Sequence, residues 1–401
     1  MKLLVWLKLS TRREKYHLDS MDFDCIVIGA GLSGLTASRK LEKFGKSVLL
    51  LEATNQVGGR VKSDVVDGYI CDRGFQVINP KYPQVVKSGV INQLDFKKIS
   101  SKIRIDDLNL NIGYSLGSLS NKIGSASEKL RFLNFVFSKK VSNFKEFGMY
   151  VSRFSNLYQD ALEPFLSGVV LTDPQQIAAD VVQEILQSFV KSLPGVPALG
   201  VGEFPKALAK PIKNLALSEK VESITTNSVN TNKSSYKARY IVVATDSISA
   251  SKLVTNLSTS QVLSSITSYF STDEKIANSK NLVVSKNSKL VNSIVMSEVS
   301  KKYAPVGKSL VSATSLTNIT EKEFKEELRK LWHTNTSSWE SVARYEIQHS
   351  LPLHLPGKKK VGKLQINDWL FVIGDHMGIP SQQGAMQTGE AVANKINQLM
   401  Q

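Results

Sequence analysis

The stretch Asp24-Cys-Ile-Val-Ile-Gly-Ala-Gly-Leu-Ser-Gly-Leu35, closed further on by Glu52-Ala-Thr-Asn-Gln-Val-Gly-Gly-Arg60, decides the fold. Residues 25–28 are a short apolar run that predicts a buried strand. Gly29, Gly31 and Gly34 follow with G-x-G-x-x-G spacing, Ala30 between the first two and Ser33 before the third, where a helical pattern begins. The first glycine permits a tight turn, the second lets the backbone approach a pyrophosphate, and the third lets helix and strand pack closely. The helix start offers N–H groups and a positive dipole end to the phosphates. Residues 47–51 predict the next strand, and Glu52 ends it, eighteen residues after Gly34. A carboxylate there, with Ala53 next to it, accepts from ribose hydroxyls and favours a cofactor without a 2′-phosphate. A glycine-rich turn alone recurs by chance. Here strand, glycines, helix, second strand and terminal acid fall in order within one unit, which points to a dinucleotide site rather than a bare βαβ scaffold.

The rest of the composition sets bounds. A chain of 401 residues has the length of two domains. Its 42% apolar and 21% charged residues are ordinary for a globular protein. Lys and Arg number 51 against 35 Asp and Glu, a balance of +16. The lysines are spread along the chain, with no basic block interleaved with aromatics, so a nucleic-acid partner is not expected. The preferred reading of the excess charge is a lysine-rich solvated surface, and peripheral contact with an anionic membrane is the alternative. Two cysteines, Cys25 and Cys71, exclude a disulfide framework, and five scattered histidines give no metal-ligand spacing. No apolar run reaches membrane-spanning length. Residues 1–20 hold a short apolar run, Leu3 to Leu7, followed by Lys8, Arg12, Arg13 and Lys15. That is a poor signal peptide, and an extension ahead of Met21 is the reading preferred to an organelle-targeting segment. The expected location is cytoplasmic or at a membrane surface, with an organelle left open.

Further along, residues 81–213 are mostly helical in pattern, with a phenylalanine stripe at 132, 135, 137, 144, 147, 154 and 165. Such a stripe is core or the roof of an apolar pocket. Residues 220–226 alternate as a strand, and Tyr240-Ile-Val-Val-Ala-Thr-Asp246 is a buried strand ending in a polar turn. A helix is predicted from Thr320 to Trp332, with Thr320 and Glu323 as a capping box. Residues 351–357, with two prolines, read as a linker. Trp369-Leu-Phe-Val-Ile-Gly-Asp375 is another buried strand, and residues 384–400 form a last helix with a small apolar face.

These segments together resemble the flavin-containing amine oxidoreductase superfamily of monoamine oxidases, protoporphyrinogen oxidases and phytoene desaturases. Residues 22–80 and 366–398 carry the likeness most, and residues 194–246 and 300–357 carry it less. The resemblance implies an α/β fold. A discontinuous Rossmann-like FAD-binding domain would comprise residues 21–80, 195–250 and 358–401. An α+β substrate domain would comprise residues 81–194 and 251–357. It implies non-covalent FAD, with Glu52 at the adenosine ribose, Gly58, Gly59 and Arg60 along the pyrophosphate and ribityl chain, and Val221 beside the adenine. Gly374 and Asp375 would meet the ribityl–phosphate region. Gly74, Phe75, Gln76 and Val77 would lie beside the isoalloxazine. The last helix, starting near Gln383, Gly384 and Ala385, would aim its positive dipole end at the pyrimidine edge, where reduced flavin gathers negative charge.

The sequence departs from amine oxidases in one place. Those enzymes carry an aromatic residue three positions before the Gly-Ala pair, as part of a cage for the amine. Here the residue is Ser381, which resembles the desaturase-type branch. The second candidate glycine pair, Gly200 and Gly202, lacks a preceding strand and a third glycine, so no second dinucleotide domain is expected. The function implied is dehydrogenation of an apolar organic substrate, with hydride passing to flavin N5 and oxygen or a quinone as acceptor. A flavin-dependent isomerase, an amine oxidase and a non-catalytic FAD-binding protein are the alternatives. No side chain stands out as catalytic acid, base or nucleophile. His376 either touches the flavin or faces solvent, and Tyr303, Trp339 and Tyr345 either line the pocket or pack.

Overall fold

The computed structural model describes residues 21–139, 141–277 and 279–401, so the expected extension over residues 1–20 lies outside it. Its first sheet is built on the apolar runs picked out above. The strand Phe23–Ile28 lies parallel to Val48–Leu51, with Cys25 opposite Val48 and Ile28 opposite Leu51. On its other side runs Ser235–Val243, with Ile28 opposite Val243, and beyond that Leu370–Val372, also parallel. Strands this uniformly apolar need cover on both faces. One face is covered by the helices Leu32–Lys43 and Gln382–Leu399. These two helices touch where Gly389 meets Ser33 and Ala37, and a Cβ on Gly389 would run into the Ser33 carbonyl. An antiparallel hairpin, Val221–Thr225 and Ser228–Thr231, extends from Ser235–Val243.

A second seven-stranded sheet runs Glu340–Pro352, Val262–Thr272, Ser309–Ser315, Leu290–Val295, Leu282–Val284, Lys102–Ile105 and Leu110–Gly113. Its pairs are antiparallel except Leu282–Val284 with Lys102–Ile105. The helix Glu321–Trp332 packs Phe324, Leu328, Leu331 and Trp332 on this sheet, against Phe270 and Val311. It starts with the expected capping box, Thr320 and Glu323 each satisfying the other's backbone.

The sequence reading fails in two places. Residues 96–113 belong to strands, not to the helical stretch assigned to them: Phe96–Lys98 pairs with Gly195–Pro197, and Lys102–Ile105 with Leu110–Gly113. The period of two is present in Lys102-Ile-Arg-Ile105, but these strands are only three or four residues long and pair with Gly195–Pro197 and Leu282–Val284, far along the chain. Arg104 is buried, its guanidinium over the Trp332 ring and donating to the Leu331 carbonyl. The supposed linker also begins later than expected, since Leu351 and Pro352 still pair with Leu263 and Val262. Proline is tolerated there because Glu340–Pro352 is the edge strand of its sheet.

The phenylalanine stripe is mostly core. Phe135, Phe147 and Phe154 pack with ring centroids 5.3 to 6.2 Å apart, Phe132 lies on Phe154 and Phe165 on Phe189. Phe137 and Phe144 are exposed.

Candidate dinucleotide site

The glycine turn sits at the C-terminal end of Phe23–Ile28, next to the start of Leu32–Lys43. Gly29 has φ +103°, donates to the Leu51 carbonyl at 2.7 Å, and leaves 3.1 Å between a hypothetical Cβ and the Ala244 carbonyl oxygen. A Cβ on Gly34 would collide with the Gly29 carbonyl. Gly31 is different: among the described residues nothing lies within 4 Å of where its Cβ would be. The second glycine cluster runs alongside, with the Gly58 N–H on the Ala30 carbonyl at 2.8 Å and Gly59 facing Gly31. The helix that starts at Leu32 has no side-chain cap and no acidic residue in its first turn. An open space over Gly31, at a helix start with no acidic residue in its first turn, fits a pyrophosphate. Ser33 is buried and turns its hydroxyl to the Ala244 carbonyl, 3.4 Å away.

Glu52 is buried at the end of Val48–Leu51. One carboxylate oxygen accepts from the Ala30 N–H at 2.8 Å, and the other from the Thr54 N–H and hydroxyl at 3.0 and 2.7 Å. The oxygen that takes the Ala30 N–H retains a lone pair for a ribose hydroxyl, while the one facing Thr54 is fully used. The Glu52 carbonyl accepts from the Glu219 N–H, which brings the buried Val221 to the same end of the sheet. Ala53 is exposed.

Arg60 and Asp375 form an ion pair at 2.6 Å, and Arg60 also donates to the Ser350 carbonyl at 2.7 Å. Burial works against the Arg60 charge, but Asp375, and less closely Asp246, outweigh it and raise its pKa. Gln76 donates to the carbonyls of Arg60 and Arg73, at 2.8 and 3.1 Å, fastening the segment Gly74–Val77 to the second glycine cluster. Phe75 and Val77 pack partly buried on the main core. Gly74, φ +88°, leaves its hypothetical Cβ 2.8 Å from Ile347 of the second sheet.

Gly374, φ +146°, is held by the Thr388 hydroxyl at 3.1 Å. Its missing side chain makes room for the His376 ring, 2.6 Å from where a Cβ would lie. His376 is turned inward, and neither ring nitrogen has a protein partner among the described residues. Burial lowers its pKa, and Arg60 adds to this against the pull of Asp375 and Asp246. Tyr303 and Trp339 are packing residues, while Tyr345 is half-buried with its hydroxyl on Asp64 at 3.0 Å.

Ser381 is the N-cap of Gln382–Leu399, its hydroxyl accepting from the Gly384 N–H at 3.0 Å and its carbonyl from Ala385. The first-turn donors left open among the described residues are those of Gln382 and Gln383. The Gln383 side chain is used elsewhere, accepting from the Gln84 N–H at 2.9 Å.

Sequence reasoning missed Thr54, Asp246 and Thr388, each of which holds a neighbouring carboxylate, helix end or glycine. Asp246, N-cap for Ile248 and Ser249, was visible as the acid directly after a buried strand. Asp72 had no such signal: Ser63 faces it across a hairpin, but its other partners, Val201 and Tyr303, lie far away in the chain.

Comparison with known proteins agrees with this fold. An oxidoreductase from Methanosarcina mazei superimposes with a TM-score of 0.74 at 15% identity, covering 92% of this chain and 99% of that one. Reduced UDP-galactopyranose mutase gives 0.72 at 14% identity, covering 95% of each chain. These likenesses show the fold. A putrescine oxidase from Kocuria rosea is 40% identical over 67 residues, 17% of this chain. The match spans 14% of that enzyme, and between 6% and 17% of the first three curated relatives. The family described as flavin containing amine oxidoreductase matches residues 32–397, nearly the whole chain, and the chain belongs to that family.

Proposed function

We propose that this chain is an FAD-dependent oxidoreductase that dehydrogenates an apolar organic substrate, as a desaturase or oxidase. Bound in the cleft, FAD would supply the two-electron acceptor for hydride leaving a substrate carbon. The chain's own part is to bind, orient and keep dry. Gly31 and the first-turn N–H groups after it would hold the pyrophosphate, Glu52 the adenosine ribose, and Arg60 with Asp375 the ribityl–phosphate region. The open N–H groups of Gln382 and Gln383, at the positive end of an eighteen-residue helix, are suited to stabilising negative charge. Non-covalent binding is supported by the cysteines. Burial pushes the Cys25 thiol far up and Cys71 up to about 12, so neither is a ready nucleophile.

Ser381 carries the substrate reading. Its hydroxyl is committed to capping the last helix. It offers an amine neither an aromatic wall nor a free polar clamp, whereas a polyene or tetrapyrrole needs only apolar surface and shape. The competing reading is an amine oxidase, as the name of putrescine oxidase, one of the short matches, suggests. The chain's excess positive charge supports peripheral contact with an anionic membrane, where apolar substrates reside.

Acid precipitation should release yellow FAD into the supernatant. In anaerobic stopped-flow mixing, hydrophobic polyenes or tetrapyrroles should bleach the flavin band and simple alkyl or aryl amines should not. Bleaching by amines alone would overturn the apolar-substrate reading. Turnover of a polyene without stoichiometric bleaching would assign the isomerase instead.

A further inference from the structure

Nine of the eighteen large apolar side chains exposed among the described residues lie between residues 114 and 190, under a fifth of the chain. The helix Ala126–Phe137 accounts for much of this, because it is apolar on two faces. Phe135 and Val136 point into the core. On the opposite face Leu130, Leu133 and Phe137 follow at i, i+3 and i+7, and are 68%, 46% and 62% exposed. Leu116 and Leu119, 85% and 72% exposed, stand on the adjoining loop. Lys129 ties that loop to the helix by donating to the Ser120 carbonyl at 2.7 Å. An outward helix face is normally charged or polar, and an exposed apolar cluster rimmed by charge marks an interaction surface.

The rim selects the partner. Residues 114–153 contain seven Lys and Arg against two Glu. One of the two, Glu128, is buried, accepting from the N–H groups of Ser125 and Asn156. Lys122, Lys129, Arg131, Lys139, Lys145 and Arg153 form no ion pair among the described residues. A second copy docked by a two-fold axis would set these cations against their own duplicates. An anionic bilayer satisfies both the apolar stripe and the unpaired cations, because acyl chains take the first and headgroups the second. No helix among the described residues is long and apolar enough to cross a membrane, so the contact is with the surface.

We propose that the outer face of Ala126–Phe137, with Leu116 and Leu119, docks this protein on the surface of an anionic lipid bilayer. The proposal rests on the peripheral-membrane part of the function above and uses none of its flavin chemistry.

Flotation of the flavin-loaded full chain with vesicles tests it, using phosphatidylcholine alone or mixed with phosphatidylglycerol. Wild type should float with the anionic vesicles at low salt and bind neutral ones about tenfold less. The triple variant Leu130→Ser, Leu133→Ser, Phe137→Ser should lose binding at least about tenfold, as should Lys122→Glu, Arg131→Glu, Lys139→Glu. Wild type that stays at the bottom of the gradient overturns the proposal. So does flotation undiminished in both variants. Dimerisation in sedimentation that the serine triple abolishes, without flotation, assigns the face to self-association and overturns it too. The visible spectrum of each fraction keeps the two readings apart. FAD retained without flotation removes only the docking face, and flotation by a protein that cannot be loaded with FAD removes only the flavin reading.

Discussion

Arg60 and Asp375 meet at 2.6 Å across 315 residues of chain, and Arg60 also holds the Ser350 carbonyl at the end of the longest strand of the second sheet. One guanidinium thus joins the second glycine cluster, the last strand of the nucleotide-binding sheet and the antiparallel sheet. Asp375 is almost fully buried, while the Arg60 side chain is 35% exposed. Removing either partner strands the other's charge. Asp375→Ala and Arg60→Ala should each lower the stability of the apoprotein by about 2–3 kcal/mol, below the range for fully buried pairs because of that exposure. The double variant should cost clearly less than the two single losses combined. Urea unfolding of the four proteins in the cycle measures this, and strict additivity would show that the pair is not coupled.

The glycines separate fold from binding. Gly34→Ala puts a methyl on the Gly29 carbonyl, where backbone rather than a flexible side chain must move. Gly31→Ala puts a methyl into open space. Gly34→Ala should therefore lower the apoprotein Tm by several degrees. Gly31→Ala should leave that Tm nearly unchanged and weaken FAD at least about tenfold, since the methyl occupies the place where a pyrophosphate would approach the backbone. Thermal melts of apoprotein beside fluorescence titration with FAD read both. Tight FAD binding by Gly31→Ala would move the pyrophosphate away from this turn.

Glu52 has a second duty besides any ribose contact, because it accepts from Ala30 and Thr54. Glu52→Ala should weaken FAD by about 1.5–3 kcal/mol through the lost charged acceptor. Glu52→Arg should weaken it further, and Glu52→Gln should fall between wild type and alanine because it retains one acceptor oxygen. The titrated dissociation constants should rank in that order. An unchanged constant in Glu52→Arg would leave this carboxylate as a brace for the glycine turn and nothing more.

The parallel sheet was legible in the sequence because all four of its main strands are apolar runs ending in a glycine or an acid. The capping box at Thr320 was legible for the same reason: it is local chemistry at fixed spacing. Residues 96–113 were not, although Lys102-Ile-Arg-Ile105 alternates, because their strands are three or four residues long and their partners Gly195–Pro197 and Leu282–Val284 lie far along the chain. The two faces of Ala126–Phe137 were not either. A phenylalanine stripe has the same spacing whether a ring points to core or to solvent, and only the packing of Phe135 separates it from Phe137. At the site, the glycines and Glu52 announced themselves. The Arg60–Asp375 pair did not, because each residue was assigned to the cofactor and neither to the other.

Asp72 is the last of these silent residues and has a pH signature. Its carboxylate is 1% exposed, accepting from the Ser63 hydroxyl at 2.6 Å, the Tyr303 hydroxyl at 2.8 Å and the Val201 N–H at 3.0 Å. Its own carbonyl accepts from Tyr269 of the second sheet, so both the side chain and the backbone of this residue are held. Burial pushes its pKa up to about 6, although the three hydrogen bonds pull the other way. An unfolded aspartate titrates near 3.9. Between about pH 4 and pH 6 the folded protein therefore keeps a proton that the unfolded chain has released, and stability falls as pH rises through that window. The loss reaches about 3 kcal/mol by pH 7. Asp72→Asn keeps the shape and cannot titrate. Its Tm relative to wild type should thus be highest above pH 7 and should drop as the pH is lowered to 4, with both proteins at equal flavin loading. A Tm difference that stays constant from pH 4 to 8 would mean that Asp72 does not change its charge within that range in the folded protein.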